Sequence, residues 1–199
     1  MKQVNITFKD KLGVFFWRNM MMPVIAGIGG KKYPEGIVVK EFAYGSLKDE
    51  KLDFIAPKKE TKKQIAIVHI HGGAWIAGSK GNFYSKPLTK FSNEGYPIFS
   101  LNYPLAPEQQ HPFMLRSLLK ALVWIKKKYP EYKEIHLIGD SAGGNLIIGV
   151  TALAIIKGCK VPDGLNLIYP AIALSRSLFS PSTILCLDDV YLGATFLSV

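Results

Sequence analysis

The sequence predicts an α/β fold in which a mostly parallel sheet carries helices on both faces. Three observations lead there. Short apolar runs at residues 65–70, 97–101, 135–138 and 165–169 alternate with stretches of helical periodicity, the pattern of strand–helix–strand units. The runs at 65–70 and 135–138 are apolar on both faces, as strands in the middle of a parallel sheet are. Glycine-rich turns follow directly on both of those runs, at 72–73 and 139–144.

Taken in order, residues 38–44 and 51–55 read as two strands joined through Gly45-Ser46 and charged residues, an antiparallel opening pair. Residues 58–63 form a solvated, lysine-rich loop. Ile65 begins the first central strand. Residues 84–94 read as a helix, with Pro87 in its first turn and Gly95 closing it. The strand at 97–101 follows. Leu115, Leu118, Leu119, Leu122 and Ile125 recur at helical spacing, and Pro130 ends that helix. Residues 142–157 are apolar almost all round, which predicts a buried helix closed by Gly158. The strand at 165–169 is the last clear one. With 199 residues and 48% apolar content, the chain builds one sizeable core and not two. Residues 1–36 are expected as an N-terminal cap or lid segment and residues 37–199 as the main domain.

Gly139-Asp140-Ser141-Ala142-Gly143 fits Gly-x-Ser-x-Gly and lies between a strand and a helix. In that context the pattern describes a nucleophile elbow, a turn too tight for flanking side chains that pushes a serine hydroxyl out at the end of a sheet. Upstream, His71-Gly72-Gly73-Ala74-Trp75 also follows a buried strand. Such a loop brings backbone N–H groups to a developing oxyanion, with Ala142 N–H as partner donor. Either motif alone is weak, because a glycine-rich strand-to-helix turn explains each. Together, and in this order, they point to a serine hydrolase with Ser141 as nucleophile. His71 heads the loop and is expected to brace it through a backbone hydrogen bond.

These residues resemble the hormone-sensitive-lipase group of α/β-hydrolases. The likeness is carried by the two motifs and by Asn102-Tyr-Pro-Leu-Ala-Pro-Glu108, His111-Pro112-Phe113, Gly144-Asn145, Pro162-Asp163-Gly164, Tyr169-Pro170-Ala171 and Ser180-Pro181-Ser182. It spans roughly residues 52–192. The resemblance implies an α/β-hydrolase fold, here with C-terminal strands missing, and activity on carboxylic esters from acylglycerols to small synthetic esters. It implies Ser141 as nucleophile, Gly72, Gly73 and Ala142 as oxyanion donors, Asp140 as a supporting group, and no cofactor or metal. The sequence departs from the family pattern at two places. Ala74 stands where a third glycine is usual, and alanine disfavours positive φ. Leu187-Asp188-Asp189 stands where the pattern suggests Asp-Pro.

The larger departure concerns the catalytic acid and base. In this fold the triad runs Ser, then Asp or Glu, then His. All four histidines, His69, His71, His111 and His136, precede Ser141. Asp163, Asp188 and Asp189 are the only later aspartates, and loop carboxylates are the expected reading of each. The general base is therefore expected to be missing, which makes this chain a weak or inactive hydrolase. The alternative is a catalytically dead, receptor-like binding module, as in the plant gibberellin receptors that resemble the same family. A third expectation is a chain left poorly stable by an uncovered strand edge. His69 and His136 are expected as core or cap-facing side chains and His111 as a loop anchor. Trp75 is expected either to line the pocket or to pack.

Charge and composition exclude other classes. The formal charge of +10 comes partly from Lys58, Lys59, Lys62 and Lys63 and from Lys126-Lys127-Lys128. No nucleic-acid motif accompanies them, and the second cluster closes a helix, where cations suit the dipole. Contact with anionic lipid or a lipid droplet is the alternative for these lysines. No run of about 18 apolar residues lacks polar interruption. Asp10 and the absence of a small-residue cleavage site argue against a signal peptide, so the sequon Asn5-Ile6-Thr7 carries no weight. Cys159 and Cys186 suggest a reduced, cytoplasmic compartment. Phe15-Phe16-Trp17 and Met20-Met21-Met22 are expected first to pack on the core, with docking on lipid or covering the site as alternatives.

Overall fold

A computed structural model describes residues 5–21, 23–24, 33, 35–58, 64–81 and 85–172. Its elements are helix α1 (Phe8–Phe16), a π-helical turn (Trp17–Met21), strands β1 (Val39–Ala43), β2 (Lys51–Ile55) and β3 (Ile65–Ile70), helix α2 (Ser85–Asn93), β4 (Ile98–Leu101), α3 (Phe113–Lys128), β5 (Glu134–Asp140), α4 (Ala142–Ile156) and β6 (Gly164–Ile168). The strands form one six-stranded sheet in the order β1-β2-β4-β3-β5-β6. β1 and β4 both pair antiparallel with β2. β3 pairs parallel with β4 and β5, and β6 pairs parallel with β5. The fold is therefore α/β with a mostly parallel sheet.

Alternation along the strands explains why both faces are covered. Val68, Ile70, Leu137, Phe99 and Leu101 face the larger core cluster, where Leu118, Ile125, Leu146, Ile147 and Val150 of α3 and α4 close over them. Ile98 and Ile55, with Ile67 and Ile138 beside them, face a smaller cluster closed by Leu88 of α2. A helix on each face is what a parallel sheet requires, since both surfaces of its central strands are apolar. α4 packs on the sheet and on α3 through Leu146, Ile147 and Val150, whereas Ile155 and Ile156 at its end are exposed, so the helix expected to be buried over 142–157 is buried only in part. β5 runs past the expected 135–138 because Gly139 and Asp140 continue the ladder, pairing with Ile70 and Ile168. Backbone pairing does not need an apolar side chain.

α1 is set by a capping box. Thr7 Oγ1 accepts from Asp10 N, and Thr7 N donates to Asp10 Oδ2 at 2.8 Å. Asp10 and Val14 are the buried residues of this helix. Phe15, Phe16, Met20 and Met21 are exposed instead of packing on the core, because the helix turns its Asp10–Val14 side inward. Trp75 is buried in the larger cluster, so packing accounts for it. His69 is buried, whereas His136 is only half-buried and lies 3.2 Å from Glu134 at the rim of the sheet. No helix among the described residues is long and apolar enough to cross a membrane. Lys59, Lys62, Lys63, Met22, Ser180–Ser182, Cys186, Asp188 and Asp189 lie outside the described residues.

Candidate active site

β3 and β5 are adjacent parallel strands, and Ile70 pairs with Gly139. The loop that leaves β3 and the turn that leaves β5 therefore emerge side by side at the C-terminal end of the parallel strands. Residues about 70 positions apart in sequence become neighbours through that single register.

The turn after β5 is a sharp corner. Ser141 has φ 50 and ψ −118, a conformation that L residues rarely adopt, and it caps α4 without a side-chain hydrogen bond to the helix. Its N–H donates to Ile168 O at 3.0 Å, and its carbonyl accepts from Asn145 N and Ala171 N. The backbone is thus held on both sides while Ser141 Oγ has no hydrogen-bond partner among the described residues. The flanking glycines are steric requirements. A Cβ on Gly139 would lie 2.7 Å from Ile70 O, and one on Gly143 would collide with Ile70 O and the His71 backbone.

The loop after β3 runs through three successive left-handed residues, Gly73 (φ 124), Ala74 (φ 52) and Trp75 (φ 59). Ala74 thus adopts the conformation that the usual glycine would hold without strain. Ile76 N and Ala77 N both donate to Gly73 O, and Ala106 N donates to Trp75 O. Farther along, the buried Lys80 ammonium reaches Asp53 Oδ1 at 2.5 Å and Glu41 Oε2 at 2.6 Å, tying the loop to the sheet. Gly72 N–H donates to the buried Asp140 carboxylate at 3.2 Å. Gly72 N–H therefore already has an acceptor. The N–H groups of Gly73, Ala74 and Ala142 have no partner among the described residues.

His71 is fully buried beneath this loop. Its Nδ1 lies 2.7 Å from Gly72 O, so that nitrogen carries the proton and donates. The ring stacks on Tyr103 at 4.4 Å, and Tyr103 O–H donates to His71 O at 2.8 Å. Burial drives the His71 pKa down to about 4 against the pull of the Gly72 carbonyl, so the ring is neutral at pH 7. Burial likewise raises the Tyr103 hydroxyl, which stays protonated as a donor. His69 Nδ1 lies 3.1 Å from Ser100 Oγ, while its Nε2 is 3.7 Å from Asp140 Oδ1, beyond hydrogen-bond distance.

The remaining candidates lie elsewhere. Asp163 accepts from Ile135 N and pairs with Lys160 at 2.9 Å, at the opposite end of β5 from Ser141. At about 3.3 Å per residue, five residues of strand separate it from the corner by more than 15 Å. Neither ring nitrogen of His111 has a hydrogen-bond partner among the described residues, and burial lowers its pKa. Among the described residues no three His, Cys, Asp or Glu side chains converge as metal ligands do.

A strand–serine–helix corner beside a glycine-rich loop is the arrangement of a nucleophile elbow, and a family model for the α/β hydrolase fold matches residues 67–192. The chain belongs to the α/β-hydrolase-fold family. This α/β-hydrolase-fold chain is 38% identical over 147 residues to hormone-sensitive lipase of Mus musculus, covering 71% of the chain and 19% of that lipase. It is 37% identical over 149 residues to the Bos taurus lipase, with 72% and 19% covered. Arylacetamide deacetylase of Mus musculus is 30% identical over 149 residues, covering 69% of the chain and 37% of the deacetylase. The chain thus spans about a fifth of the length of the lipases it matches.

Solved structures agree on the architecture. Esterase B from Lactobacillus rhamnosis, inhibited by a tributyrin phosphonate, superposes with TM-score 0.75 at 21% identity, covering 95% of this hydrolase-fold chain and 67% of that one. The hyperthermophilic esterase from the archaeon Pyrobaculum calidifontis gives TM-score 0.71 at 18% identity, with 99% and 70% covered. At these identities the likeness establishes the fold.

Proposed function

We propose that this chain carries the nucleophile and oxyanion site of a serine hydrolase acting on carboxylic esters through an acyl-enzyme on Ser141. The observation that supports it is the juxtaposition of an unengaged Ser141 hydroxyl, on a strained corner, with a loop whose N–H groups at Gly73 and Ala74 are unsatisfied. Ser141 Oγ attacks the ester carbonyl, its proton passes to a base, and the oxyanion is held by the N–H groups of Gly73, Ala74 and Ala142 and by the N-terminal dipole of α4. Each such donor is worth about 3 kcal/mol of transition-state stabilisation. Gly72 and Asp140 position the loop, and His71 braces it. Substrates are small-molecule or lipid esters, met at a lipid surface, and residues 1–36 act as the cap.

The base is the limiting part. His69 and His71 are buried in other roles, and no histidine follows Ser141. Within these 199 residues, activity is therefore expected only at the residual level, about 10³–10⁴ over water, that survives loss of a triad member. The decisive assay uses the protein expressed from its natural gene with p-nitrophenyl butyrate. Where that protein turns the ester over above the residual level, Ser141→Ala is expected to lower kcat/KM by roughly 10³-fold or more. Unchanged turnover would overturn the proposal. A second reading is a binding module that has lost catalysis. Saturable binding of an ester analogue without any turnover would select it.

A further inference from the structure

We infer that the outer face of α1 is a docking surface for anionic phospholipid. The inference rests on the lipid-ester reading above for its context and on a separate set of residues for its evidence. At 100° per residue, Phe8, Leu12, Phe15 and Phe16 fall within an arc of about 100° on one side of the helix. They are 79%, 56%, 63% and 53% exposed, and Met20 in the following turn is 57% exposed. Large apolar side chains in a contiguous exposed stripe mark an interaction surface rather than ordinary surface scatter.

The charge placement selects the partner. On the same projection Lys11 lies on one margin of the arc and Lys9 on the other, both exposed and neither in an ion pair among the described residues. An apolar stripe with a lysine along each edge is the pattern of a helix lying in a bilayer interface. Its apolar side chains sink below the headgroups while the ammonium groups reach phosphates. The opposite side of α1, Asp10 and Val14, is buried against the protein, so the stripe is presented outward by construction.

The attachment of this helix is firm and leads to the active site. Arg18 pairs in a two-pronged contact with Glu108, at 2.7 Å for each nitrogen, and donates to Ile76 O and Ala106 O. Ile76 follows the glycine-rich loop directly. A lipid surface bound by α1 therefore sits one hydrogen-bonded connection away from the oxyanion donors.

The test is co-sedimentation of the protein with vesicles of phosphatidylcholine, alone and with one-third phosphatidylglycerol, none of which contains a hydrolysable chromogenic ester. Binding is expected to favour the anionic vesicles and to weaken as salt rises. Phe8→Asp with Phe15→Asp is expected to reduce it roughly ten-fold or more, and Lys9→Gln with Lys11→Gln to remove most of the anionic preference. On the unsubstituted protein, residues 8–21 are expected to gain hydrogen-exchange protection when vesicles are added, a readout that does not depend on a variant folding. Equal binding of the variants, no protection of 8–21, or a concentration-dependent dimer abolished by Phe15→Asp would overturn the inference. Vesicle binding is read without turnover, so its failure leaves the Ser141 proposal standing, and a catalytic failure leaves this one standing.

Discussion

Gly72 donates its backbone N–H to the carboxylate of Asp140, the residue immediately before Ser141. The loop and the corner that face each other across the site are thereby joined by a buried hydrogen bond 68 residues apart in sequence. Asp140→Ala leaves that N–H buried and unpaired, with an expected loss of about 1–3 kcal/mol in chemical unfolding. Asp140→Asn keeps an acceptor oxygen and is expected to recover most of it. Equal stability of the alanine variant and the parent would show that the contact does not hold the site.

Two glycine substitutions should move stability in opposite directions. A Cβ on Gly143 collides with Ile70 O and the His71 backbone, so Gly143→Ala must push the corner off β3. A loss of about 1–3 kcal/mol is expected, together with lower ester turnover. Gly13 in α1 has open space where a Cβ would go. Gly13→Ala is expected to stabilise the helix by up to about 1 kcal/mol. Thermal unfolding of both variants checks the pair.

Arg18 holds α1 to the body of the fold through four hydrogen bonds. Arg18→Ala is expected to expose α1 and the turn after it to limited proteolysis while strands β1–β6 stay resistant. Arg18→Lys is expected to restore little, because a single ammonium cannot reproduce a planar fork that reaches one carboxylate and two carbonyls. Unaltered cleavage kinetics in the alanine variant would contradict this role.

His71 makes stability depend on pH. In the unfolded chain it takes up a proton near its ordinary value of 6.5, whereas burial in the fold delays uptake to about 4. Between those values the unfolded state binds more protons, so stability is complete above 6.5 and falls as pH drops toward 4. The loss amounts to up to about 3 kcal/mol. Urea unfolding at pH 7.5 and 4.5 measures it, and His71→Asn is expected to shrink the difference.

The strands and helices of the sheet were legible because alternation and helical spacing report burial directly. β3, β5 and α4 stand where Ile65, Ile135 and Ala142 led. The motif context also gave Ser141 its corner. The Gly72–Asp140 bond was not legible, since it depends on the Ile70–Gly139 register between strands far apart in the chain. α1 was missed as a helix although Thr7 and Asp10 carry its capping box, an acidic variant of the usual pattern. The outward turn of Phe15 and Phe16 was hidden for a different reason. Apolarity in a sequence does not say whether a side chain meets the core or a partner.

The most direct test of Ser141 as nucleophile is labelling of the protein from its natural gene with a fluorophosphonate, followed by peptide mass spectrometry. Ser141 should carry the phosphonyl adduct, and Ser141→Ala should carry none. An adduct on another residue, or ester turnover that persists while Ser141 remains unlabelled, would contradict it.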